Sequence, residues 1–392
     1  MRRSQAKADP TPFGQHEQTV LILQGGGALG AYQAGVFEAL DAARIRPDWV
    51  AGVSIGAINA AIIAGNPPER RLERLQTFWQ RASERSAYAP EAMFRAMRRF
   101  HNLAHAASTA VLGIPGFFQP HPLPPALAIS GSDNAISYYD TTPLVATLEE
   151  LVDFDLINSG KVRLSLGAVN IRTGESVYFD NTRTTITPDH VRASGALPPS
   201  FPPVEIDGER YWDGGILSNT PLSYLLDQGS DKSSIIYQVD LFRGAGDLPA
   251  NLEEVKERAA DIQYASRRLF GINQFQRLLE KHVHLARLLK KLPAALQNDP
   301  DVQKLRAGLR QEALTLVRLV NQTDTRSNSI KGYDFSRATV CELWSAGMAD
   351  FAQLCAEPAA HCLVDLGTTL RVYDNAASTA ARAMAAEIHL PD

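Results

Sequence analysis

Gln18-Thr19-Val20-Leu21-Ile22-Leu23-Gln24-Gly25-Gly26-Gly27-Ala28-Leu29-Gly30 is the stretch from which the rest of the chain can be read. Its β-branched and aliphatic run stops abruptly at three glycines, which predicts a strand ending in a tight turn. From Ala31 to Leu40 the apolar residues recur at helical spacing. The backbone N–H groups that the glycines leave uncovered therefore collect at a helix N-terminus, where negative charge is stabilised. The plan repeats at once. Trp49-Val50-Ala51 runs into Gly52-Val53-Ser54-Ile55-Gly56, and an apolar helix is expected from Ala57 to Ala64.

In the second copy the spacing Gly-x-Ser-x-Gly has a mechanical meaning. A serine on a sharp strand-to-helix turn has its Oγ exposed, and the flanking glycines relieve the crowding that side chains would cause. Ser54 is thus a candidate nucleophile, and the first glycine turn could supply N–H donors to an oxyanion. A rival reading takes Gly25-x-Gly27-x-x-Gly30 as a dinucleotide fingerprint, which needs an acidic residue at the end of the following strand. Asp48 lies at the right distance but precedes that strand.

Three ordered motifs, Gly25-Gly26-Gly27-Ala28-Leu29-Gly30, Gly52-Val53-Ser54-Ile55-Gly56 and Asp213-Gly214-Gly215, resemble those of the patatin-like phospholipase family. Tyr139-Asp140-Thr141-Thr142-Pro143-Leu144 and Ala193-Ser194-Gly195-Ala196-Leu197-Pro198 are similar to the family as well, so the resemblance spans residues 18–245. It implies a three-layer α/β/α fold with a mainly parallel central sheet. It also implies a Ser54–Asp213 catalytic dyad, an oxyanion hole from Gly25, Gly26, Gly27 and Ile55, and no metal or other cofactor. Gly30, Gly52, Gly56, Gly214 and Gly215 complete the motifs. Many members carry Arg or Lys near the end of the glycine turn, where this chain has Leu29.

Composition fits a globular protein. With 392 residues, 45% of them hydrophobic, the chain can bury a large core. A net charge of −4, with both signs mixed along the sequence, offers no basic field for nucleic acid. The basic start at Arg2 and Arg3 is not followed by an apolar segment and does not read as a signal peptide. The apolar run Ile55–Ala64 is well short of the roughly 20 residues that span a bilayer. Cys341, Cys355 and Cys362 are odd in number and confined to one end, as expected in a reducing, cytoplasmic compartment. His361 beside Cys362 lacks the spaced partner pair of a metal site.

Residues 1–17 read as a disordered tail and 18–245 as the acyl hydrolase domain. Within it, 88–135 reads as an insertion. Arg95, Arg98, Arg99, His101 and His105 form a basic segment, followed by Val111-Leu112-Gly113-Ile114-Pro115-Gly116-Phe117-Phe118 and a proline-rich run. Apolar and aromatic residues beside a cationic helix suit a lid or a peripheral contact with a membrane surface; a cover over a sheet edge is the other reading. Strands are expected at Val162–Val169, Ser176–Phe179 and Ser234–Leu241. From Asn251 to Asn321 the pattern reads as helix throughout, with Leu278, Leu285, Leu289, Leu305, Leu316 and Leu319 among its apolar positions, so residues 246–392 read as a mainly helical extension.

The expected function is a serine acyl hydrolase, a phospholipase A or lipid esterase, acting on a lipid or other hydrophobic acyl ester. Three alternatives stay open: acyl transfer to an alcohol, hydrolysis of short or polyester substrates by the same dyad, and a non-catalytic lipid-binding protein. A triad using His282, His284 or His361 is weighed too, but none of the three lies in a turn-like or strand-end context. Oligomeric state has no signal in the sequence.

Overall fold

A computed structural model describes residues 12–84, 109, 111–228, 232–246, 248–307, 313–323, 331–365 and 370–376. Ten strands form one sheet. They are β1 Gln18–Leu23, β2 Trp49–Val53, β3 Arg163–Asn170, β4 Ser176–Asp180, β5 Val204–Ile206, β6 Glu209–Asp213, β7 Ser234–Asp240, β8 Leu314–Val320, β9 Cys362–Asp365 and β10 Leu370–Asp374. Their spatial order is β9-β10-β8-β7-β1-β2-β3-β6-β5, with β4 also paired to β3. The run from β10 to β3 is parallel throughout, and antiparallel pairs occur only towards the two edges. The expected mainly parallel α/β sheet is therefore present.

Burial on both faces explains the sequence of the central strands. Every residue of β2, β7 and β8 is buried, which removes the polar alternation of a half-exposed strand. On one face lie α1 Gly30–Ala42, α2 Ile55–Ala64 and α3 Pro68–Ala82. Helix α2 is buried along its whole length, so its all-apolar sequence is that of a core helix.

The register around β3 sets the geometry of the functional end. Val53, the last residue of β2, pairs with Gly167. One residue further along β3, Ala168 pairs with Asp213 at the end of β6. Strand β4 occupies the other edge of β3 at both positions. Strands β2 and β6 therefore meet end to end along one edge of β3, and Ser54 and Asp213 arrive at the junction from opposite directions.

Two expectations about the chain ends are corrected. Phe13, placed in the expected tail, is buried with its ring 4.9 Å from that of Tyr373 and 6.3 Å from that of Tyr237. The C-terminal region does contain long helices, α4 Leu252–Lys290 and α5 Arg337–Ala356. Yet Leu314–Val320, read as helix, is strand β8, and β9 and β10 follow it, so this largely helical region also adds three strands to the central sheet. A doubly buried strand has no alternation to reveal it, and Leu316 and Leu319 happen to continue the helical spacing before them.

Helix α5 crosses α1 at van der Waals contact of the backbones. A methyl group on Gly35 would lie 1.9 Å from the Trp344 carbonyl oxygen, and one on Gly347 would lie 2.2 Å from that of Tyr32. The Tyr32 hydroxyl also donates to Asp350 at 2.7 Å. Neither glycine can carry a side chain unless the helices separate. Gly35→Ala and Gly347→Ala are each expected to destabilise the protein by about 1–3 kcal/mol, read as a lower midpoint in urea melts. Unchanged midpoints would show that the crossing relaxes without cost.

Candidate active site

Ser54 sits at the sharp turn between β2 and α2 with φ 57° and ψ −125°. A non-glycine residue there costs on the order of 1–3 kcal/mol and survives only where its surroundings impose it. Here the imposing contacts are identifiable. A methyl on Gly52 would lie 2.2 Å from the Gly56 carbonyl oxygen, and one on Gly56 would lie 2.3 Å from that of Leu23. Both glycines of the Gly-x-Ser-x-Gly spacing are thus required by backbone packing. The Ser54 N–H is held by Ser194, donating at 3.1 Å to both its carbonyl oxygen and its Oγ. The Ser194 hydroxyl in turn donates to the Gly167 carbonyl at 2.6 Å.

Asp213 is buried beside it. Its Oδ1 accepts the Gly215 N–H at 2.7 Å. Burial pushes its carboxyl up to about 6, while hydrogen bonds from the Ser54 side chain and the Gly215 N–H act the other way. Gly214 has no room for a side chain, since a methyl there would lie 2.6 Å from the Gly167 carbonyl oxygen. The Asp213 N–H donates to the Ala196 carbonyl at 3.0 Å, so the loop after Ser194 ties both candidate catalytic residues to one support.

The four expected oxyanion donors do not behave alike. The Gly25 N–H is occupied, donating to the Asn219 carbonyl at 3.3 Å. Among the described residues no hydrogen bond engages the N–H of Gly26, Gly27 or Ile55. Gly27 adopts φ 58°, and a methyl there would meet the Gly332 carbonyl oxygen at 2.2 Å. Gly30 packs against Ile55, whose Cγ1 would lie 2.6 Å from a methyl at that position. Leu29, near the end of the glycine turn, is buried.

Several supporting residues escaped the sequence reading. The Asn219 Nδ2 donates to the Gly25 carbonyl at 2.8 Å, clamping that peptide from both sides. Gln24 accepts the Leu241 N–H at 2.6 Å through its side chain, and its own carbonyl accepts from Gln33 Nε2 at 2.6 Å. Asn59 donates to the Gly30 carbonyl and to Gln33, and accepts from the Trp79 indole at 3.1 Å. A polar residue ending an otherwise apolar strand, as Gln24 does, was the readable signal. Asn219 lay in an ordinary-looking turn before Thr220-Pro221.

Ser54 and Asp213 face a cavity of about 640 Å³ whose wall is largely apolar and aromatic. Phe117 and Phe118 belong to that wall: Phe118 is buried, and its ring lies 5.1 Å from Phe201 and 4.9 Å from Tyr139. The expected exposed aromatic pair is therefore part of the packed interior, whereas Val111 and Leu112 before it are exposed. Arg95, Arg98, Arg99, His101 and His105 lie outside the described residues. Phe335 stacks on Trp79 at 6.2 Å and also faces the cavity.

The rival readings meet the same geometry. The Asp48 carboxylate accepts the Thr19 N–H at 2.8 Å, at the end of the sheet away from the glycine turn, and cannot meet a ribose bound there. Among the described lining residues none is histidine. His284 is exposed on α4 and His361 is buried just before β9, while the side chain of His282 lies outside the described residues.

Residues 21–226 match the sequence model of the patatin-like phospholipase family, more than half of the chain. The chain belongs to that family. A second match, described as patatin phospholipase, covers residues 262–361. This patatin-like chain is also similar to VipD from Legionella pneumophila, at 16% identity and TM-score 0.37 over 91% of this chain and 72% of that one. It is similar to ExoU from Pseudomonas aeruginosa, solved with SpcU, at 18% identity and TM-score 0.26 over 74% of this chain and 59% of that one. At those TM-scores neither neighbour bears on the site.

Asn219 provides a direct test of how the glycine turn is held. Asn219→Ala removes the Nδ2 donor and leaves the Gly25 carbonyl buried without its partner, so the turn should shift. We expect kcat/KM on an acyl ester to fall by about one to two decades with KM little changed. Wild-type kinetics in a folded Asn219→Ala protein would mean that the turn holds itself.

Proposed function

We propose that the protein is a serine acyl hydrolase for hydrophobic esters, with Ser54 as nucleophile and Asp213 as its base. One observation carries the reading: a backbone-strained serine and a buried carboxylate line one apolar cavity, close enough for the serine to favour the carboxylate's charged form, next to unengaged backbone donors. Family membership makes a lipid substrate the natural class.

In the proposed cycle the Ser54 Oγ attacks the ester carbonyl carbon while its proton passes to Asp213. The negative charge that develops on the carbonyl oxygen is met by the N–H groups of Gly26, Gly27 and Ile55; Gly25 serves to position the turn, since its N–H is already spent. Collapse of the tetrahedral intermediate expels the alcohol, which leaves with the proton from Asp213, and an acyl group remains on Ser54. Water then attacks, giving its proton to Asp213, and a second collapse returns that proton to Ser54 and releases the acid. An ordinary carboxylate is a weak base towards an alcohol. The burial that raises Asp213 brings its basicity nearer to what the step needs.

A cavity with a largely apolar wall also strengthens each donor towards the oxyanion, because the local dielectric is lower than that of bulk water. Its apolar lining suits an acyl chain better than a sugar or a peptide. Among the described residues no helix is long and apolar enough to cross a membrane, so we propose that lipid reaches the cavity at a surface. The exposed Val111, Leu112, Leu127 and Ile129 support a peripheral contact of that kind.

Ser54→Ala and Asp213→Asn should each lower ester hydrolysis at least about a hundredfold, and wild type but not Ser54→Ala should react with a fluorophosphonate probe. A folded Ser54→Ala protein that keeps its activity would end the hydrolase reading. Because the base must be ionised, kcat/KM should rise with pH through about 6 and level off above it. A profile flat from pH 5 to 8 would remove Asp213 from the base role.

The same shift has a consequence for stability. A carboxyl whose folded pKa is raised from 3.8 to about 6 stabilises the fold while protonated, and that contribution is lost as pH rises from the unfolded value through the folded one. Asp213→Asn carries no such charge. It should be more stable than wild type at pH 8, by up to roughly 3 kcal/mol, with the difference vanishing below about pH 4. Equal urea midpoints at both pH values would show that Asp213 ionises without cost.

A further inference from the structure

The cavity that holds Ser54 and Asp213 contains a second carboxylate that the hydrolytic cycle does not use. Asp261, near the start of α4, is only 8% exposed and lines the cavity. It makes no hydrogen bond or ion pair with any described residue. Asp213, by contrast, has both Ser54 and the Gly215 N–H. An unpaired buried carboxylate is costly and is rarely retained without a partner.

The nearby cations do not supply that partner. Arg243 and Arg258 are close enough to lower the Asp261 carboxyl, yet burial prevails and holds it at about 6. The Arg258 guanidinium is directed to backbone, donating to the Gly244 carbonyl at 2.5 Å and to the Arg243 carbonyl at 3.4 Å. The placement beside the glycine turn is equally specific. Tyr264, one helical turn after Asp261, packs its ring 4.7 Å from Phe242. Phe242 in turn borders Gly26, where an added methyl would lie 3.3 Å from the Phe242 Cε2. Asp261 thus lines the apolar cavity on a helix whose Tyr264 reaches the glycine turn through Phe242, within the same cavity as Ser54.

We infer that Asp261 is a specificity-determining residue that selects esters whose alcohol portion carries a hydroxyl donor or a cationic group. The assignment rests on the hydrolase reading. A hydroxyl can donate to the carboxylate, and a cation can neutralise it; a plain alkyl alcohol does neither and leaves the charge desolvated. Discrimination of this kind is strong because the cost falls on the site when the complementary group is missing.

The test compares kcat/KM for monooctanoylglycerol, octanoylcholine and methyl octanoate, which share one acyl chain. Wild type should favour at least one of the first two over the methyl ester by at least about tenfold. Asp261→Leu should collapse that ratio towards one and raise turnover of the methyl ester, because the cavity loses its unpaired charge. Asp261→Asn distinguishes the sources: a preference for the glycerol ester should survive, since the amide oxygen still accepts, whereas a preference for choline should vanish with the charge. Asp261→Asn also serves should the leucine variant fail to fold. No preference in wild type, or a ratio unchanged in folded Asp261→Leu, would overturn the inference. Methyl octanoate turnover that Ser54→Ala abolishes upholds the hydrolase reading independently of either result.

Discussion

The backbone at Ser54 can hold its left-handed conformation only because strands β1, β2 and β3 and helix α2 close on it without room for side chains. Gly52 touches the carbonyl of Gly56, and Gly56 touches that of Leu23. Those contacts seat α2 directly over the end of β1, so the two strand-to-helix turns lie side by side. Ser194 closes the third side by taking the Ser54 N–H and anchoring itself to Gly167. The strain is then held by sheet and helix rather than by the exposed chain.

The C-terminal region takes part in this arrangement. Gly332 sits against Gly27, Phe335 stacks on Trp79, and α5 presses on α1 through Gly35 and Gly347. Trp79 is also the donor to Asn59, which holds the Gly30 carbonyl. A continuous chain of contacts therefore runs from the C-terminal segment to the turn whose N–H groups face the cavity. With β8 and β10 in the same sheet and Gly332 and Phe335 lining the cavity, the C-terminal region contributes both to the core and to the walls around Ser54.

The parts of this architecture legible in the sequence were those with local signatures. Strand, glycine turn and helix over residues 18–40 follow from residue type alone, and the Gly52 to Gly56 spacing announces a constrained serine. What could not be read was set by distant packing. Strand β8 lacks alternation because both its faces are covered. Phe117 and Phe118 resemble an exposed patch until Phe201, Tyr139 and Phe335, all far away in sequence, are seen around them. Asn219 and Ser194 act through hydrogen bonds to residues more than a hundred positions away, Gly25 and Ser54, and no local pattern encodes such a bond. Even the glycine turn was read too generously: Gly25 is needed as a clamp point and is spent in that role.

One physical feature, the apolar wall of the cavity, connects these findings. Burial against it raises the Asp213 carboxyl and, in the proposed function, favours an acyl chain over a hydrated group. The same burial makes each carboxylate a burden on the folded state. Asp213 is partly relieved by Ser54 and Gly215, whereas among the described residues Asp261 has only two arginines at longer range. Two acids in one cavity thus differ in what satisfies them: the first is met by the protein itself, and the second is left for whatever enters.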